Sequence, residues 1–265
     1  MTLKKNKELE KFYQGVYLKG EKKHFTPFVT KGTTSTEAKE IIKEINWKSK
    51  KVLDVGCGTG NFSHEVAKKG AKYVLGIDYA EQAIIIAQKN HRHPKLEFKK
   101  MDVKDNKEKF DVIVSIGTLE HMDNPYKVLR NFKKYLKPNG KIIITSPNWT
   151  NPRGDMLMML YFLFDAPITL ADLHYLTPKD FEEWSKKLDM KLKWHTFERS
   201  WAHGEILIKD FKRRIPNILK DMKITIKKEK IDMLMKWIKK NIAGFDNSLE
   251  HSGAIAIYIL TNKKK

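Results

Sequence analysis

Lys51-Val-Leu-Asp-Val-Gly-Cys-Gly-Thr-Gly60 decides the fold of this chain, because it reads as a short apolar strand running into a bend with glycines at 56, 58 and 60. A bend of that kind cradles a nucleotide-like ligand at a strand end. Further on, a second apolar run, Tyr73-Val-Leu-Gly-Ile77, closes on Asp78, where a carboxylate can hold both hydroxyls of a ribose. The dinucleotide pattern Gly-x-Gly-x-x-Gly is not met, since Asn61 follows Gly60. Asp54 stands two residues before the first glycine, a poor neighbour for a pyrophosphate and a good one for a cation.

Outward from this stretch the chain alternates strand and helix, which specifies a parallel sheet covered on both faces. Thr34-Ser-Thr-Glu37 reads as a capping box that opens a helix through Ile45. Helices are expected over 62–69 and 81–89, a third strand over Leu96–Met101, and a fourth, buried on both faces, over Phe110–Ile116. Asn124-Pro125 starts a helix that Lys137-Pro-Asn-Gly140 ends, and Lys141–Ser146 is the fifth strand. Beyond Pro147 the alternation stops. Met190–Phe197 and Gly253–Leu260 read as sixth and seventh strands, separated by a basic amphipathic insertion broken at Pro216 and near Lys227.

Asp54-x-Gly56-x-Gly58-x-Gly60 followed by Asp78 resembles the first two motifs of class I S-adenosylmethionine-dependent methyltransferases, and the resemblance runs to about residue 148. S-adenosylmethionine carries an ammonium and a sulfonium and no phosphate, in keeping with Asp54. The resemblance implies a Rossmann-like doubly wound α/β fold, a seven-stranded, mostly parallel sheet with its last strand antiparallel. Helical insertions follow strand 5 and separate strands 6 and 7. It assigns Asp54, Gly56, Gly58 and Gly60 to the methionyl part of the cofactor, Asp78 to the ribose, and Met101, Asp102 and Val103 to the adenine, with Cys57, Tyr79, Ile116 and Gly117 as further cofactor-binding positions beside them. A capping or solvated aspartate is the plain alternative for each acid. The segment Ser115-Ile-Gly-Thr-Leu-Glu-His-Met122, with Asp123-Asn-Pro125, is similar to the small-molecule branch that includes the ubiquinone-pathway O-methyltransferases. It lacks the proline-rich fourth-strand motif common among enzymes that methylate amines of nucleic-acid bases.

Methyl transfer needs an acceptor in line with the sulfonium methyl, and orientation alone can supply about 7–11 kcal/mol. A hydroxyl acceptor must also lose a proton, for which histidine is the usual base. His121 and His174 are the candidates, each with a structural histidine as the plain alternative. Glu120, His121 and Asp123 leave a divalent metal open, with its ligands unknown.

Composition sets outer bounds. At 265 residues with 41% hydrophobic residues, the chain is long enough for one core, here read as a single domain over 1–265. Residues 1–45 are expected to form an N-terminal lid, and 150–176 and 200–250 substrate caps. The longest apolar run, Met156–Phe164, is too short to span a bilayer and no apolar signal follows Met1, so the expected location is cytoplasmic. A single cysteine, Cys57, excludes an internal disulfide. The net charge of +20 reads first as a solvated lysine-rich surface, with nucleic-acid or peripheral anionic-membrane contact as sharper options. The reading is methyl transfer from S-adenosylmethionine to oxygen, ahead of nitrogen, of a small molecule. Its rivals are an RNA methyltransferase, a cofactor-binding subunit without catalysis, and an NAD-dependent oxidoreductase.

Overall fold

The structure, a computed structural model, describes residue 15 and residues 35–166, 168–169, 172–197, 204–241 and 251–263. The expected lid thus lies outside the described residues up to residue 34, residue 15 excepted, as do residues 167, 170–171, 200–203 and 242–250 of the expected caps. The chain forms two compact units. One holds the chain up to Ser146, Phe181–Lys193 and Tyr258 onward, and the other holds Pro147–Asp180 and Trp194–Ile257.

The first unit carries the alternation read from the sequence. Helix α1 (Thr36–Glu44) is followed by β1 (Lys51–Val55), α2 (Asn61–Lys68), β2 (Tyr73–Asp78), α3 (Glu81–Asn90), β3 (Leu96–Lys100), β4 (Phe110–Ile116), α4 (Pro125–Tyr135) and β5 (Leu136–Pro147). Strands β1 to β5 pair in parallel, and β1, β2 and β4 are buried on both faces, which is why they read as near-continuous apolar runs. The seven-stranded sheet has the order β3-β2-β1-β4-β5-β7-β6 and ends in an antiparallel hairpin of β6 (Met190–Phe197) and β7 (Ile255–Asn262). The register aligns the carboxyl ends: Asp54 faces Gly76 in β2 and Val114 in β4, Asp78 faces Lys100, and Ile116 faces Thr145.

Three local expectations are corrected. The cap of α1 is Ser35, whose hydroxyl accepts from the Ala38 N–H at 3.2 Å, one residue past the expected Thr34. Lys137-Pro-Asn-Gly140 does not separate helix from strand. Strand β5 already begins at Leu136 opposite Phe110, and the Pro-Asn-Gly segment is absorbed as an irregularity before pairing resumes at Val112 and Lys141. Pro216 does not break its helix either, for reasons found in the second unit.

That unit is built from α5 (Pro152–Phe164), α7 (Gly204–Asp221) and α8 (Lys228–Asn241), with α6 (Pro178–Lys187) starting at its edge. Its core gathers Trp149, Leu157, Leu207, Phe211, Ile215 and Ile238. Phe211, Ile215 and Ile218 flank Pro216 on its buried side, so packing on both sides of the proline outweighs the roughly 3 kcal/mol that an interior proline costs. Tyr175 meets Trp149 and Tyr161 edge-on, with ring centroids 5.1 and 4.6 Å apart. Deep in the same unit, Arg153 Nε donates to Asp210 Oδ2 at 2.9 Å, and Arg213 and Arg214 close on the same carboxylate at 3.2 Å. No helix among the described residues is long and apolar enough to cross a membrane.

Candidate active site

The glycine bend leaves β1 with Gly56, Gly58 and Gly60 at φ +75°, +52° and +82°, a region that strains any residue with a Cβ. Space forbids side chains as well. A Cβ on Gly56 would overlap Thr118, and one on Gly60 would overlap the Phe98 ring. The bend hangs from the end of β2. Gly56 and Cys57 donate their N–H groups to Ile77 O at 2.8 and 3.0 Å, and Gly58 donates to Asp78 Oδ2 at 3.0 Å. Asp78 Oδ1 accepts from Ala80 N at 2.8 Å, so one carboxylate fixes both the bend and the start of α3. With the Tyr79 N–H also directed at it, the carboxylate meets three backbone donors, which leaves part of its acceptor capacity for a hydroxyl.

Asp54 is 1% exposed and Oδ2 accepts from Ser63 Oγ at 2.6 Å. Burial raises its pKa to about 7, against the lowering effect of the Ser63 hydrogen bond and with the Asp78 charge adding to the rise. Asp78 is likewise raised by burial, partly offset by the N–H groups of Ala80, Gly58 and Tyr79. Burial, then the charges of Asp54 and Asp78, push the Cys57 thiol well up, so this cysteine is a poor nucleophile and packs against Ile84, Ala87 and Phe98.

The remaining expected positions fall at neighbouring strand ends. Met101 N donates to Asp78 O at 3.1 Å, which ties the end of β3 to β2, and Val103 is buried. Asp102 caps the short turn Val103–Asp105 by accepting from Lys104 N at 2.9 Å and pairs with Lys104 Nζ at 3.0 Å, so its carboxylate already has local work. At the end of β4, Gly117 takes φ +53° and donates to Thr145 Oγ1 at 3.0 Å, while Thr118 Oγ1 donates back to Ile116 O at 2.8 Å. The chain then makes one tight turn, Leu119–His121, which buries Glu120 and leaves His121 half-buried. Glu120 Oε1 lies 3.9 Å from where a Cβ on Gly117 would stand. His174 belongs to the other unit, between α5 and α6, where its Nε2 is buried without a hydrogen-bond partner among the described residues. Among the described residues no group of three or more His, Cys, Asp or Glu side chains is arranged to hold a metal ion.

The set suits a cationic nucleoside. Among the described residues neither Asp54 nor Asp78 forms an ion pair, and burial holds both up in pKa. Residues 46–222 match the family model described as a methyltransferase domain, two thirds of the chain. The chain belongs to that methyltransferase family. Its sheet is the class I S-adenosylmethionine-dependent form. Over 163 residues this methyltransferase is 30% identical to a ubiquinone biosynthesis O-methyltransferase of Pseudomonas putida, which covers 58% of the chain and 69% of that protein. The corresponding enzyme of Glaesserella parasuis is 31% identical over 158 residues, 54% of the chain and 66% of the enzyme. Among solved structures, an S-adenosylmethionine-dependent methyltransferase from Mesorhizobium loti shares the fold with a TM-score of 0.52 at 12% identity, covering 83% of this chain and 94% of that one. Phosphoethanolamine N-methyltransferase 2 of Haemonchus contortus, solved with S-adenosylhomocysteine, gives 0.58 at 16% identity over 99% and 59% of the two chains.

Sequence reading missed three parts of this methyltransferase site: Ser63 on Asp54, Thr118 against Gly56, and Phe98 beneath Gly60 and Gly76. A lone glycine inside β2, Gly76, was the available signal for the last, because it marks a close approach. Ser63 and Thr118 had none, since each depends on a contact between separate elements.

Proposed function

We propose that this methyltransferase moves a methyl group from S-adenosylmethionine to an oxygen of a small-molecule acceptor, with His121 taking the acceptor's proton. When bound, S-adenosylmethionine supplies an electrophilic methyl on a sulfonium. Asp54 and the bend would hold the methionyl end, with Asp54 ionised against the ammonium, and Asp78 would accept from the ribose with the acceptor capacity its three backbone donors leave. The adenine would lie beside Met101 and Val103. Asp102 could take part there only by sharing the carboxylate that now caps its own turn.

One observation carries the reading. Two buried carboxylates, without cationic partners among the described residues, stand at adjacent strand ends around a side-chain-free bend, one strand away from a half-buried histidine. The choice of oxygen is supported by relatives named as ubiquinone biosynthesis O-methyltransferases and by a fourth-strand end without the prolines of base-amine methylation. Calorimetry with S-adenosylhomocysteine tests the cofactor half, and no heat with that compound sinks it. Radiolabelled transfer to a panel of phenols, catechols and short RNAs tests the acceptor half. Counts on a phenol, lowered about 10²–10⁴-fold by His121→Ala with cofactor affinity retained, support it. Counts only on RNA overturn it.

A further inference from the structure

We infer that the hairpin of α7 and α8 is a docking surface for an anionic phospholipid bilayer. This goes beyond the methyl-transfer reading and does not depend on it.

Helix α8 has two apolar faces where a helix of a globular domain needs one. Ile231, Met235 and Ile238 face the core of the second unit. Met233 and Trp237, one turn apart, face water at 69% and 56% exposure, with Leu234 beside them. The approach to α8 repeats the pattern, since Ile224 and Ile226 are exposed between Lys223 and Lys227. Exposed apolar side chains at this density mark an interaction site.

Charge names the partner. From Lys220 to Lys240 the chain carries lysines at 220, 223, 227, 228, 230, 236, 239 and 240 against acids only at 221, 229 and 232. Among the described residues Lys239 alone of these lysines is in an ion pair, with Glu205 at 3.3 Å. Lys230 precedes Met233 by three positions and Lys240 follows Trp237 by three, so ammonium groups ring the exposed apolar face of the helix. A tryptophan and apolar side chains bounded by lysines fit the headgroup boundary of an anionic leaflet: the apolar groups enter, the indole sits at the boundary, and the lysines reach the phosphates. The exposed end of α5, with Phe162, Leu163 and Phe164, is equally apolar but has no such basic border. The hairpin is therefore the surface whose chemistry selects a partner.

The test is sedimentation of the full chain with vesicles of phosphatidylcholine alone and of phosphatidylcholine with an equal part of phosphatidylglycerol. The chain should pellet with the mixed vesicles, and binding should fall steeply near 1 M salt, where screening acts within about 3 Å. Lys223→Gln/Lys227→Gln/Lys230→Gln should weaken partitioning by about fivefold for each lysine, on the order of 100-fold together. Met233→Ser/Trp237→Ser should weaken it about tenfold or more. Unchanged S-adenosylhomocysteine binding by the variants shows that they are folded. Equal binding to neutral vesicles, insensitivity to both variants, a dimer abolished by Met233→Ser/Trp237→Ser, or capture of single-stranded RNA without vesicle binding would each overturn the inference.

Discussion

In the sheet-bearing unit three carboxylates go inside and large apolar side chains stay out of water: Asp54, Asp78 and Glu120 are buried, and Ile85 is the one exposed large apolar residue among those described. The helical unit reverses the balance. Met159, Phe162, Leu163, Phe164, Ile224, Ile226, Met233, Leu234 and Trp237 all stand exposed there, while its buried charges, Arg153 and Asp210, are matched to each other. Buried acids such as Asp54 and Asp78, which form no ion pair among the described residues, raise the folded state's free energy until a cation arrives, and exposed apolar faces do so until an apolar surface arrives. Each unit thus carries its unmet need in the place where a different ligand would meet it.

The matched pair gives the largest expected effect. Asp210→Ala would strand the Arg153 guanidinium, which is nine-tenths buried, and should cost about 3–5 kcal/mol in urea unfolding. Arg153→Met/Asp210→Leu should recover most of that loss. Burial alone would lift the Asp210 pKa, but the charges of Arg153 and Arg214 and their hydrogen bonds more than offset it and hold it low. Its contribution is therefore present above the usual carboxylate pKa of about 4 and lost as pH falls through the lowered folded value. If Asp210→Ala were as harmless as a surface change, the helical unit would not rest on matched charge and the contrast would break.

Next in size is the bend. Gly60→Ala places a Cβ at φ +82° and into the Phe98 ring, so about 2–4 kcal/mol should be lost, part from backbone strain and part from overpacking. Adding Phe98→Leu should return the packing share and leave roughly 1–2 kcal/mol of strain. A full rescue would show that φ is not the constraint here.

Those two sites also mark what could be read from sequence. The bend was legible because its constraints are local: positive φ and missing side chains force glycine at fixed spacing, and the flanking acids sit at strand ends that periodicity locates. The Arg153–Asp210 pair joins residues 57 positions apart, and no pattern along the chain announces such a contact. Asp102 lies between these cases. Its place at the end of β3 was legible, but its use as a cap depends on a one-turn helix too short to show a period. Lys137-Pro-Asn-Gly140 and Pro216 misled for a related reason, since turn and breaker residues state a local preference that strand pairing with β4 and core packing around α7 override.

Asp54 sharpens the contrast through pH. Its folded pKa of about 7 lies above the ordinary carboxylate value, so the folded apo chain holds a proton that the unfolded chain releases. The stability from that group is full below about pH 4 and is lost as pH rises towards 7. Ligand affinity should run the other way, because an ammonium needs the ionised form. S-adenosylhomocysteine binding should strengthen with pH up to about 7, by at most about tenfold per unit, and release a proton measurable by calorimetry in buffers of differing ionisation heat. Asp54→Asn should flatten that slope. A slope that survives would move the titration to another group.

The smallest effect is a difference between two helix caps of the same design. Ser35 caps α1 with its hydroxyl in solvent, whereas Asn151 caps α5 from within the core, accepting from Gly154 N at 2.9 Å and donating to Asn148 O and Gly253 O at 3.0 and 2.9 Å. Ser35→Ala should cost about 0.5–1 kcal/mol, because water can take over the exposed N–H. Asn151→Ala leaves a buried N–H and two buried carbonyls short of a bond, so it should cost about 1–2 kcal/mol more than the Ser35 change. Chemical denaturation of both variants side by side measures the gap. Equal losses would mean that water reaches Asn151, and the helical unit would then be wetter at the root of α5 than its packing implies.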